Sequence, residues 1–372
     1  MYYILGTIFG LLNFIDFGAF GLGEIFLILE LFFFSYKKKR EKKENEKYKI
    51  PVEILKIVLY IIFLSGYFLW SSVNNTYVLK AIFKWFTILI EVYYIYKSMK
   101  KNEIKTLELL ISFLLFSKLA DYHDFTSPYA LHYFFLIPVF CLLYVKNNKN
   151  RDKFLLLIVC AIYLGVGKSR SALVLLIAFI GFEWGNKILS DLKSEDVNRK
   201  VISLLCVVAF LFCVFGAYNY VEKNVSSSTE SNDERRVLIE IAFKEYKEKP
   251  FLGVGPINFN DYAQNKLGYR LRNTLLTPHN LYLEVLSENG MIGFLLFFNI
   301  IMVVFKSFKN KNIKLSVHFC SIYIIVYYLF ATFTGTNRIV FSILYAVVLY
   351  YYYNDEAKEI KYEKDIYNNT NI

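Results

Sequence analysis

Between Arg235 and Gly293 the chain gathers residue types that can do chemistry: Arg235 and Arg236, the turn Gly253-x-Gly255, the pair His279-Asn280, and Glu284 and Glu288 four positions apart. An imidazole with an ordinary pKa near 6.5 can take a proton from a hydroxyl close to neutral pH. Arginine offers a planar, permanently charged fork for oxyanions. Glutamates at four-residue spacing share one face of a helix, where they can orient an imidazole or bind hydroxyl groups. Upstream, Lys168-Ser169-Arg170-Ser171-Ala172 puts two more cations at the end of an apolar run.

The local pattern says how these groups are carried. Ser231 with Glu234 three positions on reads as a capping box. The helix it opens puts Val237, Leu238, Ile241 and Ala242 on one face, with Glu240, Lys244, Lys247 and Glu248 largely elsewhere, and Pro250 ends it. Such a helix beside membrane spans is expected to lie at the interface, its apolar side on lipid or on the bundle. Gly253, Gly255 and Pro256 give a sharp turn whose backbone can approach a ligand closely. Thr277 is the expected N-cap of a second helix, with Pro278 at its first position, so that His279 and Asn280 fall in its first turn. Gly290 and Gly293 then allow a bend into an apolar span.

The remaining chain is mostly lipid-compatible. Of 372 residues 56% are apolar and 19% aromatic, more than a water-soluble domain keeps dispersed. The N-terminus has no basic leader and no small-residue cleavage site, and reads as a retained membrane segment. A formal charge of +11 comes in short runs between apolar segments, which is the positive-inside pattern and not a nucleic-acid face. The run KKKREKKENEKYK at 37–49, with eight basic residues against three acidic, fixes that loop as cytoplasmic. From it, apolar segments near 52–70, 77–96, 104–117, 129–145, 154–166, 172–186, 200–220, 291–305, 315–333 and 339–353 alternate sides. Residues 2–36 are expected to add a tight hairpin of two short segments, or one tilted helix, for about eleven or twelve spans. The organisation expected is transmembrane helices over 1–220 with an external arginine site near 168–172, an external loop over 221–290, C-terminal spans over 291–353 and a cytoplasmic tail over 354–372. The five cysteines lie inside apolar runs without metal-ligand spacing and read as small buried hydrophobes.

The combination resembles the O-antigen ligase and O-antigen polymerase family. It rests on Arg235, Pro250 fifteen positions later, Gly253-x-Gly255, then His279-Asn280-x-Tyr282-Leu283-Glu284-x-Leu286-x-Glu288-x-Gly290-x-x-Gly293, with Lys168–Ala172 similar to that family's second arginine site. The motifs cover about 165–295. The resemblance implies an all-α, GT-C-like polytopic membrane glycosyltransferase in the inner (cytoplasmic) membrane, with its active site on the external, periplasmic face. The donor it implies is a glycan on undecaprenyl diphosphate, and the acceptor a saccharide or lipid A-core, in lipopolysaccharide or other surface polysaccharide assembly. Neither a nucleotide sugar, a cofactor nor a metal is implied; membrane lipids and polysaccharide assembly proteins are the other expected partners. Residue by residue, Arg170 and Arg235 match the arginines assigned to the lipid diphosphate, and His279 matches the general base or acceptor-orienting histidine. Where family members often carry tryptophan four residues after the helix arginine, this chain has Ile239.

Diphosphate is a good leaving group, so the barrier falls chiefly by neutralising its growing charge, a task suited to arginine. Attack opposite the diphosphate inverts the anomeric centre. Glu284, Glu288 and Asn280 are candidate partners of the imidazole or of sugar hydroxyls, and Lys168, Arg236 and Arg272 candidate substrate contacts. Arg270 and Arg338 read equally as carrier or glycan contacts or as solvated charge, and Arg170 by position alone as an interfacial arginine snorkelling to headgroups. His123 in the sequence DYHD invites a metal-site reading, against which three polar residues in an external loop are ordinarily just a loop. The competing function is a transporter or flippase of lipid-linked oligosaccharide. Against it, no internal repeat of broken helices is visible, and the polar residues concentrate in one loop and not at mid-membrane.

Overall fold

The computed structural model describes residues 2–12, 22–36, 50–70, 73–121, scattered positions between 185 and 208, and residues 228–269, 277–309, 315–329 and 337–370. Among them all regular structure is helical and no strand occurs. Two short N-terminal helices, α1 (Tyr2–Leu12) and α2 (Leu22–Tyr36), pack on each other, with Phe9 stacked on Phe26 at 5.8 Å between ring centroids. Residues 2–36 therefore contain two helices rather than one. After them come α3 (Val52–Trp70), α4 (Asn75–Lys101) and α5 (Glu103–Asp121); α1 lies along α5, and α4 against α2, α3 and α5.

The later chain supplies α6 (Ser228–Glu248), α7 (Phe259–Asn265), α8 (Leu281–Ser307), α9 (Leu315–Ile322, running on as a π-helix over Tyr323–Tyr327) and α10 (Asn337–Thr370). Among the described residues two helices are long and apolar enough to cross a membrane, α3 over Val52–Leu69 and α8 over Leu281–Ser307. The stretch of α10 from 338 to 351 is buried at every position, as expected of a helix apolar all round that is packed on α4, α8 and α9. Its Tyr345 hydroxyl donates to the Ile300 carbonyl at 2.7 Å, tying α10 to α8. Cys320 on α9 is buried and free, in keeping with its reading as a small hydrophobe.

One candidate charge is corrected here. Arg338 meets neither solvent nor an open surface: it is buried at the start of α10, where its guanidinium donates to Glu91 on α4 at 2.9 Å and to Glu24 on α2. A cation amid helices needs such partners because the bundle offers no water to solvate it. Sequence alone showed Arg338 near the end of a span without showing the two acids that meet it.

Candidate functional site

The amphipathic helix α6 begins at Ser228, one turn before the expected cap, and stops at Glu248 ahead of Pro250. Its buried stripe is Leu238, Ile241 and Ala242, continued by Glu245, whereas Val237 is 40% exposed and outside the stripe. Leu238, Ile241 and Ala242 form a small core with Phe259 and Ala263 of α7, separate from the main bundle core, and Leu283 of α8 packs against it. The apolar side of α6 thus rests on α7 and α8.

The turn after α6 does not hold its backbone open for a ligand. It is stitched into a break in α8. Gly290 has φ 62° and ψ −168°, so the helical ladder is interrupted there. The carbonyls that would have bonded along the helix take partners from the turn instead: Val254 N–H donates to Ser287 O at 3.0 Å and Gly255 N–H to Glu288 O at 2.8 Å. Beyond the break, Met291 and Ile292 N–H donate to Pro250 O and Phe251 O at 2.8 and 3.2 Å. Four backbone groups at the bend are satisfied in this way, as irregular backbone inside a bundle requires.

The joint explains two glycines of the motif. A Cβ on Gly253 would come within 2.4 Å of the Glu288 backbone, and one on Gly290 within 2.4 Å of the Phe251 backbone. Both also have positive φ, +70° and +62°. Ile257, a β-branched residue, is held at φ 55°, and the Glu288 carboxylate accepts its N–H at 2.9 Å.

His279 precedes α8. The expected cap at Thr277 is replaced by Asn280, whose side-chain oxygen accepts from Tyr282 N–H at 3.0 Å and Leu283 N–H at 3.1 Å. One carboxamide satisfies two free amides at once, so the helix starts at Leu281, and His279 stands outside it with φ 49°. The start of α8 is fixed from below: Leu281 N–H donates to Tyr328 O at 2.9 Å, and the Tyr282 hydroxyl donates to the Ile324 and Ile325 carbonyls at 3.2 and 3.1 Å. His279 is exposed at its outer side. Partial burial, then the Arg235 guanidinium, push its imidazole below the ordinary 6.5. It is therefore neutral at pH 7 and able to accept a proton.

Of the two arginines, it is the charge of Arg235 that acts on the imidazole. Arg236 points outward and pairs with Glu240 one turn on, at 3.4 Å, with both side chains largely exposed. At the other end of α6, Glu245 lies close enough to Glu288 for the two carboxyls to repel. Ten helical residues from Arg235 to Glu245 rise about 15 Å, and the nine from His279 to Glu288 cover a similar length. The helix α6 and the first half of α8 therefore run side by side in the same sense, joined at their far end by the stitched turn.

The two helix-spaced glutamates are engaged away from the imidazole. Glu284 faces the bundle and pairs with Lys84 of α4 at 3.6 Å, and Glu288 clasps the Ile257 amide. Asn289 beyond them donates to the Tyr60 hydroxyl of α3 at 3.2 Å. Lys84 and Glu245 were not legible as members of this cluster. Glu245 could have been found by extending the apolar stripe, since it follows Ile241 by four positions and Ala242 by three. Lys84 carries no local signal. Lys168, Arg170, Arg270, Arg272 and His123 lie outside the described residues.

The family model described as O-antigen ligase matches residues 154–298. No curated protein and no solved structure matches the chain. The matched segment spans both α6 and the first half of α8, so Arg235 and His279 stand within the part of the chain that is similar to the O-antigen ligase family.

Proposed function

We propose that the protein is a membrane glycosyltransferase that moves a glycan from undecaprenyl diphosphate to an acceptor hydroxyl during surface polysaccharide assembly, outside the cytoplasmic membrane. The observation that carries this reading is the neutral, accessible His279 beside Arg235 at the parallel seam of α6 and α8, inside the family-matched segment. The acceptor oxygen attacks the anomeric carbon and its proton passes to the His279 imidazole. The bond from that carbon to the diphosphate oxygen breaks, and undecaprenyl diphosphate leaves with the electron pair. Arg235, with Arg170 and Lys168 from the upstream site, neutralises the charge that grows on it. About eleven or twelve spans in a GT-C-like arrangement hold these groups at the external face. The polymerase and ligase versions differ in acceptor alone, a second lipid-linked repeat unit or a lipid A-core.

The reading is tested with the full chain reconstituted with lipid-linked repeat units, alone and with an acceptor lipid. Chain growth in the first mixture means a polymerase, and transfer in the second alone means a ligase. His279→Ala is expected to abolish transfer while insertion and folding persist, and Arg235→Lys to lose most of it because a point charge does not reproduce the fork. Full activity of His279→Ala would remove the base assignment. The pH profile follows from the depressed imidazole: transfer holds from neutral pH down to below 6.5, then falls as the imidazole charges. An acid limb centred at or above 6.5 would contradict it.

A further inference from the structure

Glu245 is fully buried, and neither of its carboxyl oxygens has a hydrogen-bond partner of regular geometry among the described residues. An apolar residue at this position would continue the stripe of Leu238, Ile241 and Ala242 without leaving polar atoms unsatisfied. We propose that Glu245 is a positioning residue of the transfer site: its carboxyl, set against Glu288 where α6 meets the break in α8, controls whether Arg235 stands beside His279. The inference rests on the transferase reading given above.

The groups around Glu245 decide which form the seam accepts. From α8 come Glu288 and the Ser287 hydroxyl, with Glu284 and its Lys84 partner behind them; from α6 itself comes Glu248; from α7 comes Tyr262, whose hydroxyl donates to Glu248 at 2.6 Å. Glu288 already receives the Ile257 amide. Burial, then Glu288 and Glu248, push the Glu245 carboxyl up to about 9, with Ser287 opposing. As the neutral acid, Glu245 lets α6 lie against Glu288 without adding a charge to the seam. Once ionised it faces two carboxylates in a seam that offers it few donors. Because α6 is one continuous helix, displacement at Glu245 is carried to Arg235 ten residues away, and the arginine leaves the imidazole.

The signs follow. The folded pKa lies above the ordinary 4.5, so the folded chain holds a proton that the unfolded chain has lost. Glu245 therefore lowers stability progressively from about pH 4.5 to about 9. Glu245→Gln is neutral at every pH and nearly the same shape, and so removes that slope.

The test uses the full chain in membranes isolated from cells that make it, which carry their own lipid-linked glycan, with product read as glycan size on gels. Wild-type transfer is expected to fall on the alkaline side with a midpoint near 9, about tenfold by pH 10. E245Q should lack this limb while keeping the acid limb set by His279. In detergent, the thermal midpoint of E245Q should gain on wild type as pH rises toward 9 and level off above it. Should Glu245→Gln fail to fold, Glu245→Leu, which extends the apolar stripe, should lack the alkaline limb in the same way. An unchanged alkaline limb in the folded variant would overturn the positioning role. No transfer from wild-type membranes would instead overturn the transferase reading beneath it, whatever the thermal slopes.

Discussion

His279 is held at φ 49°, a backbone region that side chains other than glycine enter at a cost of about 1–2 kcal/mol. What keeps it there is its neighbour. Asn280 ties down the first two amides of α8, and Leu281 is bonded to Tyr328, so the chain has to turn at His279 to enter the helix. Asn280→Ala is expected to cost about 1 kcal/mol of stability and to reduce transfer, since the imidazole then loses its fixed approach. Asn280→Asp keeps the accepting oxygen and places a negative charge at the helix start, where it is favoured. It should restore both thermal midpoint and transfer. A variant Asn280→Asp that regains stability without regaining transfer would instead assign the amide a direct contact with substrate.

The working element is the joint between the turn after α6 and the break in α8, where two backbones approach too closely for any side chain at Gly253 or Gly290. The obstructing atoms are backbone, which cannot swing aside, and both positions also require positive φ. Gly253→Ala and Gly290→Ala should each unseat the turn, lowering the thermal midpoint and reducing transfer at least tenfold, whereas Gly268→Ala, with open space around its Cβ though also at positive φ, should be far milder. Equal effects at Gly253 and Gly268 would show that backbone conformation alone, and not the close approach, sets the requirement. Local signals were legible here: the apolar stripe, the stop at Pro250, the turn at Gly253-x-Gly255 and the bend at Gly290. What they do together was not, because the turn and the break are joined by main-chain hydrogen bonds between residues 250–255 and 287–292, and main-chain pairing leaves no side-chain pattern to read. The same reason hid the true cap, since Thr277-Pro278 and Asn280 are both acceptable starts until Tyr328 selects one.

At the scale of the whole molecule, the sequence showed that the chain is helical and apolar, but hydropathy cannot say which charged side chains inside it meet. Arg338, Glu24 and Glu91 come from three helices, α10, α2 and α4, with Arg338 lying 247 and 314 positions from Glu91 and Glu24, and they meet in the interior. The triad ties α10 to α2 and α4. A buried ion cluster of this kind contributes little net stability while complete, because desolvation offsets its attraction, yet removing one member leaves uncompensated charge. Arg338→Met is therefore expected to destabilise the chain by about 3–5 kcal/mol, seen as a lowered thermal midpoint in detergent and reduced yield in the membrane. Combining Arg338→Met with Glu24→Gln and Glu91→Gln should recover most of that loss, and with it the transfer activity, since no charge is then left unpaired. If the triple variant is stable but inactive, the triad acts on substrate, and Arg338 returns to the glycan-contact role that its sequence position first allowed.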